Sequence, residues 1–334
     1  MDKYIKNKLI IFNFLMSVLV ILVHSINNET NFQKFVVENI CQYAIPSFFI
    51  VSGFLFFVNA NSIQIVFNKI NRRIKTFLIP YLMWNVIYYF VYLVFKNNFN
   101  FSLNELYNAA VNYKYNPVFW YIFQLILIVV ITPIMYYIIK NYIYILLFYL
   151  LIFIIILLNI DIPILNEDAI IYFFTGAVLS KLYNDKKIVL ISKNYIIKIL
   201  FVFIISCFFL YSVSNLSYKY PMLYTTIISM IIINRIIGSI FIFYLLDIFY
   251  DYNYISKYMK FNFFLYSTHY FVTRIMIYIS NKITYLIHIN YYRIIIQDIM
   301  FVLTPFVAIY FAYVVSNIMK KYIKNYYYLL TGDR

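Results

Sequence analysis

Long apolar runs, repeated from end to end, restrict this chain to one kind of fold. Leu9 to Ile26 reads LIIFNFLMSVLVILVHSI, eighteen residues that at about 1.5 Å each nearly cross a hydrocarbon core of about 30 Å. Comparable runs recur at roughly 40–58, 77–95, 118–139, 143–160, 169–183, 195–213, 222–249, 262–281 and 294–318. With 65% hydrophobic and only 12% charged residues, a soluble globular domain is excluded. The runs are continuous and lack the period-two alternation of a membrane barrel. The expected fold is an all-α polytopic membrane protein, ten helices in one bundle, forming a single domain over residues 1–334.

Orientation follows from the basic residues, because cytoplasmic loops hold the excess of Lys and Arg. With the N-terminus inside, nineteen of the 27 fall in cytoplasmic segments, six lie outside, and Arg235 and Arg274 lie within runs. Both termini are therefore expected in the cytoplasm. The same bias accounts for the net charge of +15 without nucleic acid, since the basic residues are dispersed and form no stripe or arm. A basic start followed by an apolar run resembles a signal peptide. No small-residue cleavage site follows before Asn27, so an uncleaved first span is expected. Cys41 and Cys207 both sit in apolar runs, which predicts neither a disulfide framework nor a metal site. The long run 222–249 must tilt, break or kink at Gly238.

Polar groups within the runs are the functional candidates, because each costs free energy there. His24, near the far end of the first run, reads either as a working imidazole or as a ring facing water or a carbonyl. Arg235, beside Asn234 in the eighth run, requires a wet path or a partner. His269 reads as a site group or as a ring bonded to a helix carbonyl. Arg274 reads as a site for an anion or as a buried partner of Asp298. His288 reads as a plain surface residue and Asp247 as interfacial. Ser52 and Gly53 either line a channel or let helices pack closely, and Pro46 either kinks its helix and frees carbonyls for a cavity or has them satisfied by its neighbours. The segment Lys69-Ile-Asn-Arg72-Arg73-Ile-Lys75 obeys the positive-inside rule and suits anionic lipid; its alternative is a phosphate site reached from the cytosol.

Several local patterns together resemble the acyltransferase 3 family of integral membrane acyltransferases. They are a first span ending in His24, the stretch PSFFIVSGF from Pro46 to Phe54, and Arg73-Ile-Lys75-Thr76 leading into Pro80-Tyr81-Leu82-Met83-Trp84. Phe119-Trp120-Tyr121 with Pro133 behind it, FFTGAVL from Phe173 to Leu179, and FFLYSTH from Phe263 to His269 follow in family order. Two positions depart. Asn13 stands where the family usually has an arginine, eleven residues before the histidine, and Thr76 takes the second place of an Arg-x-x-Arg pair, with Lys75 and Arg72 as available substitutes.

The resemblance implies acetyl transfer from acetyl-CoA to a hydroxyl of a cell-surface or lipid-linked polysaccharide, in the bacterial inner or plasma membrane. His24 would be the base, a role that suits an imidazole titrating near neutrality. Asn13, Arg72, Arg73 and Lys75 would handle the donor's phosphates, with His269, Arg235, Arg274 and Ser52 as further site or pathway residues. No bound cofactor is expected, acetyl-CoA being a co-substrate. The expected partners are the acyl-CoA, a carbohydrate acceptor, the lipid bilayer and proteins of polysaccharide synthesis. Two other classes stay open: a glycan exporter, which ten helices and intramembrane charges also suit although no inverted repeat is legible, and a non-catalytic accessory subunit of a polysaccharide synthase.

Overall fold

A computed structural model describes residues 2–27, 30–96, 101–160, 162–217, 224–250, 252–287 and 289–332. Among them no strand occurs, and thirteen α-helices follow one another: α1 (Lys3–His24), α2 (Asn31–Asn39), α3 (Ala44–Phe57), α4 (Ile63–Phe95), α5 (Leu103–Asn112), α6 (Trp120–Ile138), α7 (Tyr142–Leu157), α8 (Glu167–Asn184), α9 (Asn194–Ser217), α10 (Tyr224–Phe249), α11 (Asn262–Tyr285), α12 (Asn290–Tyr322) and α13 (Lys324–Thr331). Among the described residues seven segments are long and apolar enough to cross a membrane: α1, Asn31–Phe57, α4, Pro117–Ile138, Asn194–Ser214, Thr225–Phe249 and α12. The other three expected spans are helical too. However, α7 has only 16 residues, α8 carries Glu167, Asp168 and Lys181, and α11 is rich in hydroxyl side chains. The chain is a multi-pass membrane protein.

The residues group into two compact units, one of Met1–Met16, Gln42–Ile70 and Leu127–Ile255, the other of Ser17–Cys41, Asn71–Ile126 and Ser256–Arg334. In the first unit α3 lies directly on α8. Gly53 and Gly176 make this contact, since a Cβ on Gly53 would strike the Phe173 carbonyl and one on Gly176 the Ile50 carbonyl. Close packing is therefore the role of the small residue beside Ser52. Pro46 does not kink α3: it sits in the first turn, where its missing N–H has no helical acceptor anyway. Nor does Gly238 break α10, which is a single helix; the absent side chain makes room for the ring of Tyr43.

In the second unit α11 packs on α12, and the short α13 closes against α4. Trp84 Nε1 donates to the Leu330 carbonyl at 2.9 Å, and Gly332 ends α13 at φ +63° against the Thr76 carbonyl, where a Cβ would collide. At the other end of α4, α5 begins with Ser102 accepting from the Glu105 N–H and buries Ala109 against Tyr89 and Leu93. The basic residues Arg72, Arg73 and Lys75, expected just before the third run, lie on the unbroken 33-residue α4.

Candidate active site

His24 is the last residue of α1, where the chain leaves the helix and its ring meets α11. Its ring centroid lies 5.5 Å from that of His269 and 6.0 Å from that of Tyr270, the latter edge-on at 88°. His269 is wholly buried. Its Nδ1 lies 2.5 Å from the Tyr266 carbonyl oxygen one turn back, so that nitrogen carries the hydrogen and donates it. Nε2 then holds a lone pair, and it is buried without a hydrogen-bond partner among the described residues. An acceptor left like this costs about 1–3 kcal/mol and is free to accept from an incoming donor.

The neighbouring side chains fix both rings. Arg274 Nη2 donates to the Tyr270 hydroxyl at 2.6 Å and the guanidinium lies 4.9 Å from the centre of the Tyr270 ring, which places a cation one ring away from His24. The alternative pairing of Arg274 with Asp298 does not form, because Asp298 Oδ1 instead accepts from Thr30 Oγ1 at 2.5 Å and from Gln33 Nε2 at 3.1 Å. Tyr88 donates to the Ser267 carbonyl at 2.9 Å, and its ring lies 6.2 Å from Tyr270.

A column of rings leads from this pair to α4. Tyr266 contacts His269 at 5.6 Å and stacks on Phe119 at 5.8 Å, and Phe119 stacks on Tyr81 at 6.0 Å. The Tyr266 hydroxyl donates to the Val118 carbonyl. Tyr81, Trp84 and Tyr88 share one face of α4 by their helical spacing, which gives the Pro-Tyr-x-x-Trp pattern its physical sense. Arg73 lies eight residues before Tyr81, about 12 Å along the helix. It lies over the Phe77 ring, while Arg72 and Lys75 are exposed, and none of the three forms an ion pair among the described residues. Thr76 cannot replace a guanidinium, for its hydroxyl donates to the Arg73 carbonyl at 3.2 Å. One unit thus contains an imidazole pair, an aromatic column and three cations without an ion-pair partner among the described residues.

The model of the Acyl_transf_3 acyltransferase domain matches residues 11–320, nearly the whole chain. The chain belongs to the acyltransferase 3 family. No curated protein and no solved structure matches it.

In this membrane acyltransferase, the remaining candidates fall in the first unit. Asn13 is half-buried, its Oδ1 lacking a hydrogen-bond partner. Arg235 has a carboxylate neighbour, Asp168, at 3.8 Å, with both side chains a third exposed, and the adjacent Asn234 is tied to Tyr43 and Ser206. Ser52 lies on α3 next to the close contact with α8. His288 lies outside the described residues. Sequence reasoning missed the most buried charges of all. Lys8 and Asp247 pair at 2.8 Å with side chains 0% and 2% exposed, an ion pair inside the protein. Both sit at the ends of apolar runs, where flanking charges are ordinary, and nothing local distinguishes them.

Proposed function

We propose that this acyltransferase moves an acetyl group from acetyl-CoA to a hydroxyl of a cell-surface or lipid-linked polysaccharide in the bacterial inner or plasma membrane, acting as one domain. The observation that carries the reading is the contact of His24 with His269, whose Nε2 is left open. His24 takes the proton of the acceptor hydroxyl as its oxygen attacks the thioester carbonyl. The new C–O bond forms, the C–S bond breaks, and the proton passes to the leaving thiolate. His269, tied to its own helix through Nδ1, positions the His24 ring. Arg274, held by Tyr270, stands where negative charge grows on the carbonyl oxygen, a term that often dominates catalysis.

Arg72, Arg73 and Lys75 suit the donor's phosphates, since they are unpaired and guanidinium forks match phosphate oxygens. Asn13 would contribute at most a neutral hydrogen bond where relatives have a charge. Proteins of polysaccharide synthesis would supply the acceptor. Arg235 has Asp168 beside it and so need not mark an export path; Arg235 and Ser52 belong to the packing of the first unit in this scheme. The test is the acetate content of surface glycan in cells carrying His24→Ala beside wild type. Loss of acetate with the glycan itself retained is expected. Unchanged acetate would remove His24 from the mechanism, and loss of the glycan as a whole would favour export.

A further inference from the structure

A polar cavity of about 680 Å³ opens in the second unit between the starts of α2 and α12. Asn31 and Phe32 line one side, and Asn290, Arg293, Gln297 and Asp298 the other. Its chemistry is mixed and nearly neutral. Asp298 Oδ1 is already taken by Thr30 and Gln33, which orients the carboxylate and leaves Oδ2 without a partner among the described residues. Arg293 spends Nε on the Ile287 carbonyl, and its terminal nitrogens are left over. The amides of Asn31, Asn290 and Gln297 each offer a donor and an acceptor. Phe32 is 46% exposed, with one edge contact to Phe301.

Paired donors and acceptors beside an exposed phenyl ring match a ligand with neighbouring hydroxyls on one side and C–H groups on the other. That is a sugar. A phosphate would meet the Asp298 carboxylate, and a metal ion would find one carboxylate where several ligands are needed. The position sets the register. Asn27, three residues after His24, donates to Ser280 and Asn281 of α11. Those residues are eleven and twelve positions past His269, about 16 Å along the helix, and the cavity starts only three residues further on at Thr30. A sugar bound there is not the one that reaches His24.

We infer that the cavity at Asp298 is a distal acceptor subsite, holding a sugar unit of a polysaccharide whose reacting hydroxyl lies several units away. The inference rests on the proposed glycan acylation. It is tested with purified protein in lipid nanodiscs, using acetyl-CoA and de-acetylated surface polysaccharide from the parent cell, cut into short fragments that cover only the reaction centre and long ones that also reach the cavity. Phe32→Ala and Asn290→Ala are on the surface and leave the fold intact. Each should raise KM for long fragments by up to about tenfold, the worth of one lost contact, with kcat and the KM of short fragments unchanged. Asp298→Asn, which keeps an acceptor for Thr30, should have the same selective effect. Equal KM for long fragments in wild type and all variants, with transfer intact, overturns the subsite alone. Transfer to no fragment of either length overturns the acylation reading and the subsite with it.

Discussion

Each unit sets a polar pair among apolar neighbours, and the two are satisfied very differently. In the first, Lys8 Nζ meets Asp247 at 2.8 Å, donates to the Leu190 carbonyl at 2.6 Å and lies 3.9 Å from the centre of the Phe243 ring. Asp247 in turn accepts from the Tyr252 hydroxyl at 2.6 Å and from the Ser192 N–H at 2.8 Å. In the second, His24 and His269 touch without a hydrogen bond between them, and one ring nitrogen is left open. A buried charge with every partner in place is a fastening, since any change leaves something unpaired. A buried lone pair without a partner costs stability, and in the proposed mechanism it belongs to the ring that backs the base.

Mutations that exchange these roles would break the comparison. His24→Ala should reduce acyl transfer by about 10²–10⁴-fold, the usual worth of a general base, with the thermal midpoint unchanged, as read by thioester consumption and a melting curve in detergent. Lys8→Met should do the reverse, destabilising by about 3–5 kcal/mol because Asp247 is left charged without its cation, while Lys8→Met with Asp247→Leu regains most of the loss. A Lys8→Met protein that melts normally but has lost transfer would place the chemistry in the wrong unit.

Finer changes sharpen it. His269→Gln should lower kcat by up to about a hundredfold and shift its pH profile, with KM for acetyl-CoA unchanged, as expected of a positioning residue. Gly176→Ala should cost about 1–3 kcal/mol by forcing α8 off α3 and leave kcat alone. The smallest effect belongs to the hairpin at α5, where hydrogen bonds from Lys114 at 2.7 Å and Tyr115 at 2.6 Å hold the Glu105 carboxyl below the usual carboxylate range. A lowered value means that this contribution is complete above the ordinary carboxylate pKa of about 4.3 and disappears as pH falls through the lowered one. Hydrogen exchange in α5 should therefore be unaffected at neutral pH, rise only in acid, and lose that acid dependence in Glu105→Gln.

The sequence carries the helical membrane fold plainly, because lipid allows few alternatives to a long continuous apolar run. It also marks His24 and His269, whose imidazoles are rare among apolar neighbours. The partners were harder to see. Lys8 resembles any flanking lysine, and only the fold brings it to Asp247, 239 positions away. Helix α13 looks like a polar tail until Trp84 receives it and Gly332 fits under Thr76. Gly238 and Pro46 take their roles from packing and position: one admits the ring of Tyr43, and the other begins a helix. Asp298 likewise found its partners on α2 through a contact between distant segments that no local pattern encodes.

The central claim is that His24 is the base of an acyl transfer, and purified protein in nanodiscs tests it most directly. Wild type and His24→Ala are given acetyl-CoA and de-acetylated surface polysaccharide, and acetate on the glycan is measured against time. The account predicts steady acetylation by wild type and none above background from the variant, the two proteins melting at the same temperature. Equal rates from both would contradict it.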